Sequence, residues 1–346
     1  MLSRRGFLKG MALTGIALAY GNAFGSTRSV LGEDTLFSVW VNGKAGYIDT
    51  EGNLVIKPRF DGAGYFREGL GCVRMGDKCG YIDRSGDFII DPILQYGSDF
   101  SEGLVAVMPS GNDKWGYMDK AGNMVIEPCF EEESFFSDFS EGLSSIKIDG
   151  KWGYIDGTGR WVINPRFQQA GSFSEGLACV EVDGKLGYID KKGIFVIPPI
   201  YRSVCGFLEG LASVGYGERE NMYVDRIGRV AIMNEQFESA GPFYEGIAGV
   251  WIKGKAGFIN KSGQIIIKPQ FDAISYFSEG LAVVVFKGKD GFADKKEGFI
   301  NRNGDVVIEP KYDFALPFEN GLAPVKVCDK WGYINKAGEY VWKPTA

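Results

Sequence analysis

Short apolar-polar alternations, broken by Gly, Asp, Asn and Pro, run from residue 35 to residue 346. Residues 141–175 show the pattern in one period. Leu143-Ser144-Ser145-Ile146-Lys147-Ile148 alternates with period two, which predicts a strand with one buried face. Asp149-Gly150 follows, the residue pair that a two-residue type I′ hairpin needs. Lys151-Trp152-Gly153-Tyr154-Ile155-Asp156 predicts a second strand, and Asp156-Gly157-Thr158-Gly159 a type I turn. Trp161-Val162-Ile163-Asn164 predicts a third strand, expected to stop at Pro165 because Pro donates nothing to a ladder. A loop from Arg166 to Ser174 then leads into the next period.

The period recurs along the chain. Gly-aromatic-aliphatic-Asp/Asn stands at Gly46, Gly80, Gly116, Gly153, Gly187, Gly257, Gly298 and Gly332, with a degenerate copy at Met222-Tyr223-Val224-Asp225. Steps between these markers are 34, 36, 37, 34, 35, 35, 41 and 34 residues. Glu-Gly-Leu keeps phase with them, as at Glu68, Glu102, Glu141, Glu175, Glu209 and Glu279, and so does a Pro followed two residues later by an aromatic, as at Pro58/Phe60 and Pro269/Phe271. The reading is all-β: nine three-stranded antiparallel meanders of about 35 residues. One meander cannot bury its own apolar face, so neighbours must stack. Nine units favour an open, solenoid-like array, with a closed propeller-like ring as the alternative. The marker glycine is expected to let an adjacent aromatic lie against backbone. Two stretches depart from the pattern: Gly215 to Met233, with Glu235 where Pro is expected, and an insertion around Asp290–Lys296.

Composition sharpens this. The chain has 346 residues, 50 Gly and no His, so the commonest general base and metal ligand is missing. Helices do not carry so much Gly, which costs about 1 kcal/mol per interior site. A formal charge of −6 with no basic run argues against nucleic acid as a partner. The six Cys lack C-x-x-C spacing and read as structural thiols. No nucleotide, metal or cofactor motif is present.

The N-terminal residues Ser3-Arg4-Arg5-Gly6-Phe7-Leu8-Lys9 resemble the twin-arginine export motif, followed by a short apolar stretch and small residues. The expected organisation is a signal peptide over residues 1–25, a linker over 26–34 and repeats over 35–346. An extracytoplasmic location follows, with membrane contact only during export.

Lys114-Trp115-Gly116-Tyr117, Lys151-Trp152-Gly153-Tyr154 and Lys330-Trp331-Gly332-Tyr333, with Phe173-Ser174-Glu175-Gly176-Leu177, resemble the bacterial WG-repeat family. The resemblance implies β-repeat modules of envelope or interaction proteins and brings no catalytic residues.

The recurrent Glu and Asp are read as turn acceptors, and the Trp of Trp-Gly as packing between units. Trp40 and Trp251 fall on the otherwise polar side of the first strand, which makes them candidate binding aromatics. The expected function is a non-catalytic binding module of the cell envelope with a protein or envelope partner. A glycan or peptidoglycan binder is the alternative, and an enzyme using Glu218, Glu220 and Asp294 of the degenerate units is the third reading.

Overall fold

The computed structural model describes residues 36–131, 137–216 and 219–344, and every regular element among them is a β-strand. The first three, β1 (Phe37–Val41), β2 (Lys44–Ile48) and β3 (Leu54–Phe60), form an antiparallel sheet in that order. Small antiparallel sheets of three or four strands recur along the chain, two neighbours being joined by the long strand Phe88–Gly97. The local chemistry is the expected one. Asp149 and Gly150 both take positive φ, 49° and 77°, as a type I′ turn requires. Asp156 accepts the backbone N–H groups of Thr158 and Arg160 and the Thr158 hydroxyl. Those bonds, the Thr158 side chain's first, hold its carboxyl below the usual range.

The end of the third strand corrects two expectations. The segment after the Pro is not simply a loop, because Gln169–Ala170 forms a short fourth strand ahead of Ala178–Val182. Nor does Pro165 end the third strand, which runs on from Trp161 to Phe167. Pairing jumps from Tyr154↔Ile163 to Trp152↔Phe167, so Pro165 sits in a bulge where no ladder N–H is required.

The bulge also explains the marker glycine. A Cβ on Gly153 would stand 2.4 Å from the Ile163 carbonyl oxygen and 2.7 Å from the Pro165 nitrogen. Gly46, Gly116 and Gly257 face the same backbone at 2.4, 2.4 and 2.6 Å. Glycine therefore admits the third strand, not a neighbouring aromatic. Residues 222–233 are a natural control. Met222 replaces the glycine, Asn234 rather than Glu235 stands where Pro belongs, and Met222↔Met233 and Tyr223↔Ile232 pair in step. Gly and Pro are lost together because each is needed only when the other is present.

Each sheet buries its face on the next. Tyr154, Ile163 and Phe167 of one unit share a core with Phe173, Ala178, Val180 and Ile189 of the following one. The marker tyrosine is the plug. Tyr154 donates its hydroxyl to the Gly171 carbonyl at 2.7 Å, and its ring meets Phe173 edge-on, centroids 4.9 Å apart. Burial pushes its pKa well above the ordinary value, so it stays a donor. Tyr47, Tyr188 and Tyr223 repeat the arrangement with Phe66, Phe207 and Phe243. Such a ring pair contributes about 0.5–1.5 kcal/mol beyond its buried area.

The first and last sheets are in contact. Phe37, Val39 and Ile48 of the first sheet share a core with Leu322 and Tyr333 of the last. Tyr333 donates to the Ser38 carbonyl at 2.9 Å and packs edge-on against Phe37 at 5.3 Å. The physical reason is that the aromatic face of Tyr333 has the same need of a neighbour as every other marker tyrosine.

Gly153→Ala is expected to lower the unfolding free energy by about 1–3 kcal/mol through overpacking, measured by chemical denaturation. Met222→Gly is expected to stabilise nothing, since no bulge waits there.

Candidate functional site

The recurrent carboxylates hold units together. Glu141 accepts the N–H of Gly176 in the next unit at 3.0 Å, and Glu175, Glu209, Glu245 and Glu279 do the same for Gly210, Gly246, Gly280 and Gly321. Each of these Glu residues sits at a positive φ near 53°, a conformation that costs a non-glycine residue about 1–2 kcal/mol. Their reach across the junction is what glycine lacks. A cation from the same neighbour often joins in: Lys191 on Glu141, Lys261 on Glu209, Arg302 on Glu245 and Lys336 on Glu279. At Glu245 partial burial alone would raise the carboxyl pKa, but Arg302 and the Gly280 N–H outweigh it and hold it low. Where a serine precedes the Glu it bonds across as well, as Ser140 does to the Phe173 carbonyl and Ser174 to the Phe207 carbonyl, both at 2.7 Å. The repeated polar groups are thus committed to the scaffold.

Among the described residues no group of three or more Cys, Asp or Glu is placed to hold a metal ion. Asp294 accepts the Asp290 N–H inside its own turn. Glu218 and the export residues Arg4 and Arg5 lie outside the described residues, and so does the side chain of Glu220. The cysteines are free thiols, with Cys79 bonded to the Leu94 carbonyl.

The two candidate tryptophans part company. Trp251 is half-buried and packs on the core formed by Ile247, Ala256, Phe258 and Phe271. Trp40 is 42 % exposed and lies where the first and last sheets meet. There it borders a hollow of about 280 Å³, walled by Trp331, Tyr333 and Trp342. Ser38 and Val39 of β1 form one rim, and the Asp329-Lys330 hairpin the other. Trp331 shares its repeat position with Trp115, yet Trp115 is 6 % exposed and Trp331 is 42 % exposed. Trp115 is paired with Phe130 and stacked on Tyr96. No described residue covers Trp331 from the third strand, whose pairing ends at Tyr333↔Trp342. Trp342 has its indole N–H buried without a hydrogen-bond partner. It takes the place that isoleucine holds elsewhere, as in Ile56, Ile163, Ile267 and Ile308. That single departure from the repeat was the available sequence signal for a site that Trp40 alone only half marks.

A second cluster lies on the segments that lead into each first strand. Arg67 approaches Glu319 of the last unit at 3.9 Å. Asp99 stands near Arg67 and Asp138, and burial, opposed by Arg67 and aided by Asp138, pushes its carboxyl up to about 6.

Glu245→Ala is expected to cost about 1–3 kcal/mol at neutral pH by removing charge-assisted bonds. Because the folded-state pKa of Glu245 is depressed, the difference from wild type should shrink as pH falls through that value, which urea titrations at several pH values would follow. Asp99 has the opposite sign. Its raised pKa means that stability is fully present below 3.8 and is lost as pH rises toward about 6. Asp99→Asn should therefore stabilise the chain at pH 7 and flatten the melting-temperature profile between those two values.

Comparison with known proteins agrees on the repeat. A comparison with curated protein sequences found no match. Among solved structures, one described as a crystal structure of the eukaryotic initiation factor superposes with a TM-score of 0.63 over 89 % of this chain and 95 % of that one, at 11 % identity. BamB from Moraxella catarrhalis gives 0.43 over 74 % and 92 % at 14 % identity, and apo AztD from Citrobacter koseri 0.43 over 79 % and 93 % at 13 %. At such identities the first likeness bears on the fold alone. The family model described as WG containing repeat matches residues 46–79, 80–110, 115–152, 152–185, 187–218, 222–255, 257–289 and 298–331. Those eight segments take in most of the chain, and the periodic Gly, Tyr and Pro that they cover are the residues that build each junction: the chain belongs to the WG-containing repeat family.

Proposed function

We propose that this chain is an exported, non-catalytic binding module whose nine units close into a ring, with the hollow between its first and last units as the recognition site. One observation carries the reading. The repeated Glu, Ser and Tyr are engaged in holding a neighbour, whereas the first-to-last junction leaves Trp40 and Trp331 exposed around a concave surface. Exposed aromatics around a hollow are the usual anchors of recognition. Ring closure is supported by the shared core of Phe37 and Tyr333 and by the Arg67–Glu319 contact. Export is supported by Arg4 and Arg5 in their motif. The partner is a protein of the cell envelope.

A glycan is the second reading, favoured by the exposure of two indole faces, on which sugar rings stack. The experiment that separates the two is retention of the full chain on immobilised envelope protein and on purified peptidoglycan. Trp331→Ala is expected to cut retention on protein about tenfold while leaving the melting temperature within a few degrees, because that side chain is largely exposed. Retention on peptidoglycan alone, lost in the same variant, would favour the glycan. Unchanged retention on both would remove the hollow from the function.

A further inference from the structure

Two consecutive units depart from the repeat around their last strands, Phe195–Tyr201 and Val230–Met233. Other units place a polar residue just before this strand, as Asn53, Arg160, Gln264 and Asp305 show, where the first of the two has Ile194. Glu51, Ser85, Thr158 and Ser262 share a turn position with Ile227. Lys57, Asn164, Lys268 and Glu309 share a strand position with Pro198 and Met233. Ile194, Ile227 and Met233 are 60, 58 and 60 % exposed, so burial does not account for the exchange. Ile200 gives up a hydrogen bond as well. Arg59 and Arg166, at its position, donate to the carbonyls of Gly86 and Gly193 in the following turn. Gly228 is the equivalent glycine, and an isoleucine donates nothing to it.

The two strands and the turn between them form one face. A Cβ on Gly228 would stand 3.4 Å from Cγ1 of Ile197, so the turn of the second unit lies on the last strand of the first. Cations flank the isoleucines. From the turn Asp to the end of the last strand, the two units carry Lys191, Lys192, Arg226 and Arg229 against Asp190 and Asp225. Both Asp carboxylates accept turn N–H groups, Asp190 from Lys192 and Ile194, Asp225 from Ile227 and Arg229. Lys191 also pairs with Glu141 across the junction at 3.2 Å. The chain as a whole is acidic, with 38 Lys and Arg against 44 Asp and Glu. The equivalent stretch of an earlier unit, Asp83 to Leu94, has the opposite balance. It sets Asp83, Asp87 and Asp91 against Arg84, although Ile89 and Ile93 are exposed there too.

We infer that this face docks the folded chain on an anionic lipid surface. Ile194, Ile200, Ile227 and Met233 enter between the headgroups, and Lys192, Arg226 and Arg229 meet the phosphates. Aliphatic side chains flanked by Lys and Arg are the pattern that holds a protein at such an interface. The backbone argues against a partner strand. Phe195–Tyr201 is the last strand of its sheet and, among the described residues, pairs with Lys185–Ile189 alone. Pro198 and Pro199 remove two successive donors from it, which makes this edge a poor template for strand addition. A protein hot spot rests on Trp, Tyr or Arg seated in a recess, whereas Ile194, Ile227 and Met233 stand out from the surface. The inference is independent of the hollow between the first and last units.

The test is co-sedimentation of the full chain with vesicles of phosphatidylcholine, alone or with about 30 % phosphatidylglycerol. Binding to the anionic vesicles is expected, falling about fivefold between about 0.05 and 0.5 M NaCl as salt screens the cations. Ile194→Glu combined with Ile227→Glu should lower binding about tenfold, and Lys192→Glu combined with Arg229→Glu about as much. These side chains are exposed, so the melting temperature should stay within a few degrees of wild type. Ile93→Glu, as exposed but on the acidic stretch, should leave binding unchanged. A variant lacking residues 1–25 should bind as the full chain does. Loss of binding in that variant would assign the contact to the basic N-terminal residues and overturn the inference. Equal binding to neutral and anionic vesicles, or unaltered binding in either double variant, would overturn it too. Capture on immobilised polyglutamate without binding to vesicles would give the face to an acidic polypeptide instead.

Discussion

The burial of one unit's tyrosine in the next unit is the constraint on which the remaining structure depends. A three-stranded meander has too little area to cover its own aromatic face. Tyr154 therefore finds its hydrogen-bond acceptor at Gly171 and its ring partner at Phe173, both in the following unit. No unit is complete alone, and each leans on the unit that follows it. Tyr333 meets β1, and it does so with substitutes: Ser38 in place of a loop carbonyl, Phe37 in place of a loop phenylalanine.

That substitution is also why the first-to-last junction differs chemically. Along the chain, a junction is made by continuous polypeptide that runs from one sheet's third strand to the next sheet's edge. Covalent continuity places the aromatic and the short fourth strand in register without further selection. Where the two ends of the repeat meet, the contacts among the described residues are made by side chains far apart in the chain. Trp40, Trp331 and Trp342 gather there around one hollow, which makes this junction unlike the others. The repeated Glu, Ser and Tyr, by contrast, are used the same way in unit after unit, each holding one unit to the next.

Much of the molecule was legible in the order of residues. The strands, the type I′ hairpin at Asp149-Gly150 and the Asp156 turn follow from period-two alternation and from residues that tolerate positive φ. The turn-acceptor reading of the repeated Glu was right in kind, although its acceptor role spans units instead of closing a local turn. Pro165 misled because Pro usually marks a strand end, whereas a bulge removes the need for its missing N–H. Trp40 and Trp251 were indistinguishable in sequence since they share one position in the unit.

Sequence by itself determined the repeat, its strands and turns, and the family, because these depend on contacts within about one period of the chain. Only the tertiary structure decided that the first and last sheets share a core and that Trp40, Trp331 and Trp342 gather around one hollow. Those contacts join residues 295 positions apart, as Tyr333 and Ser38 are. No local pattern encodes such a distance. It depends on how each sheet packs on the next, unit after unit.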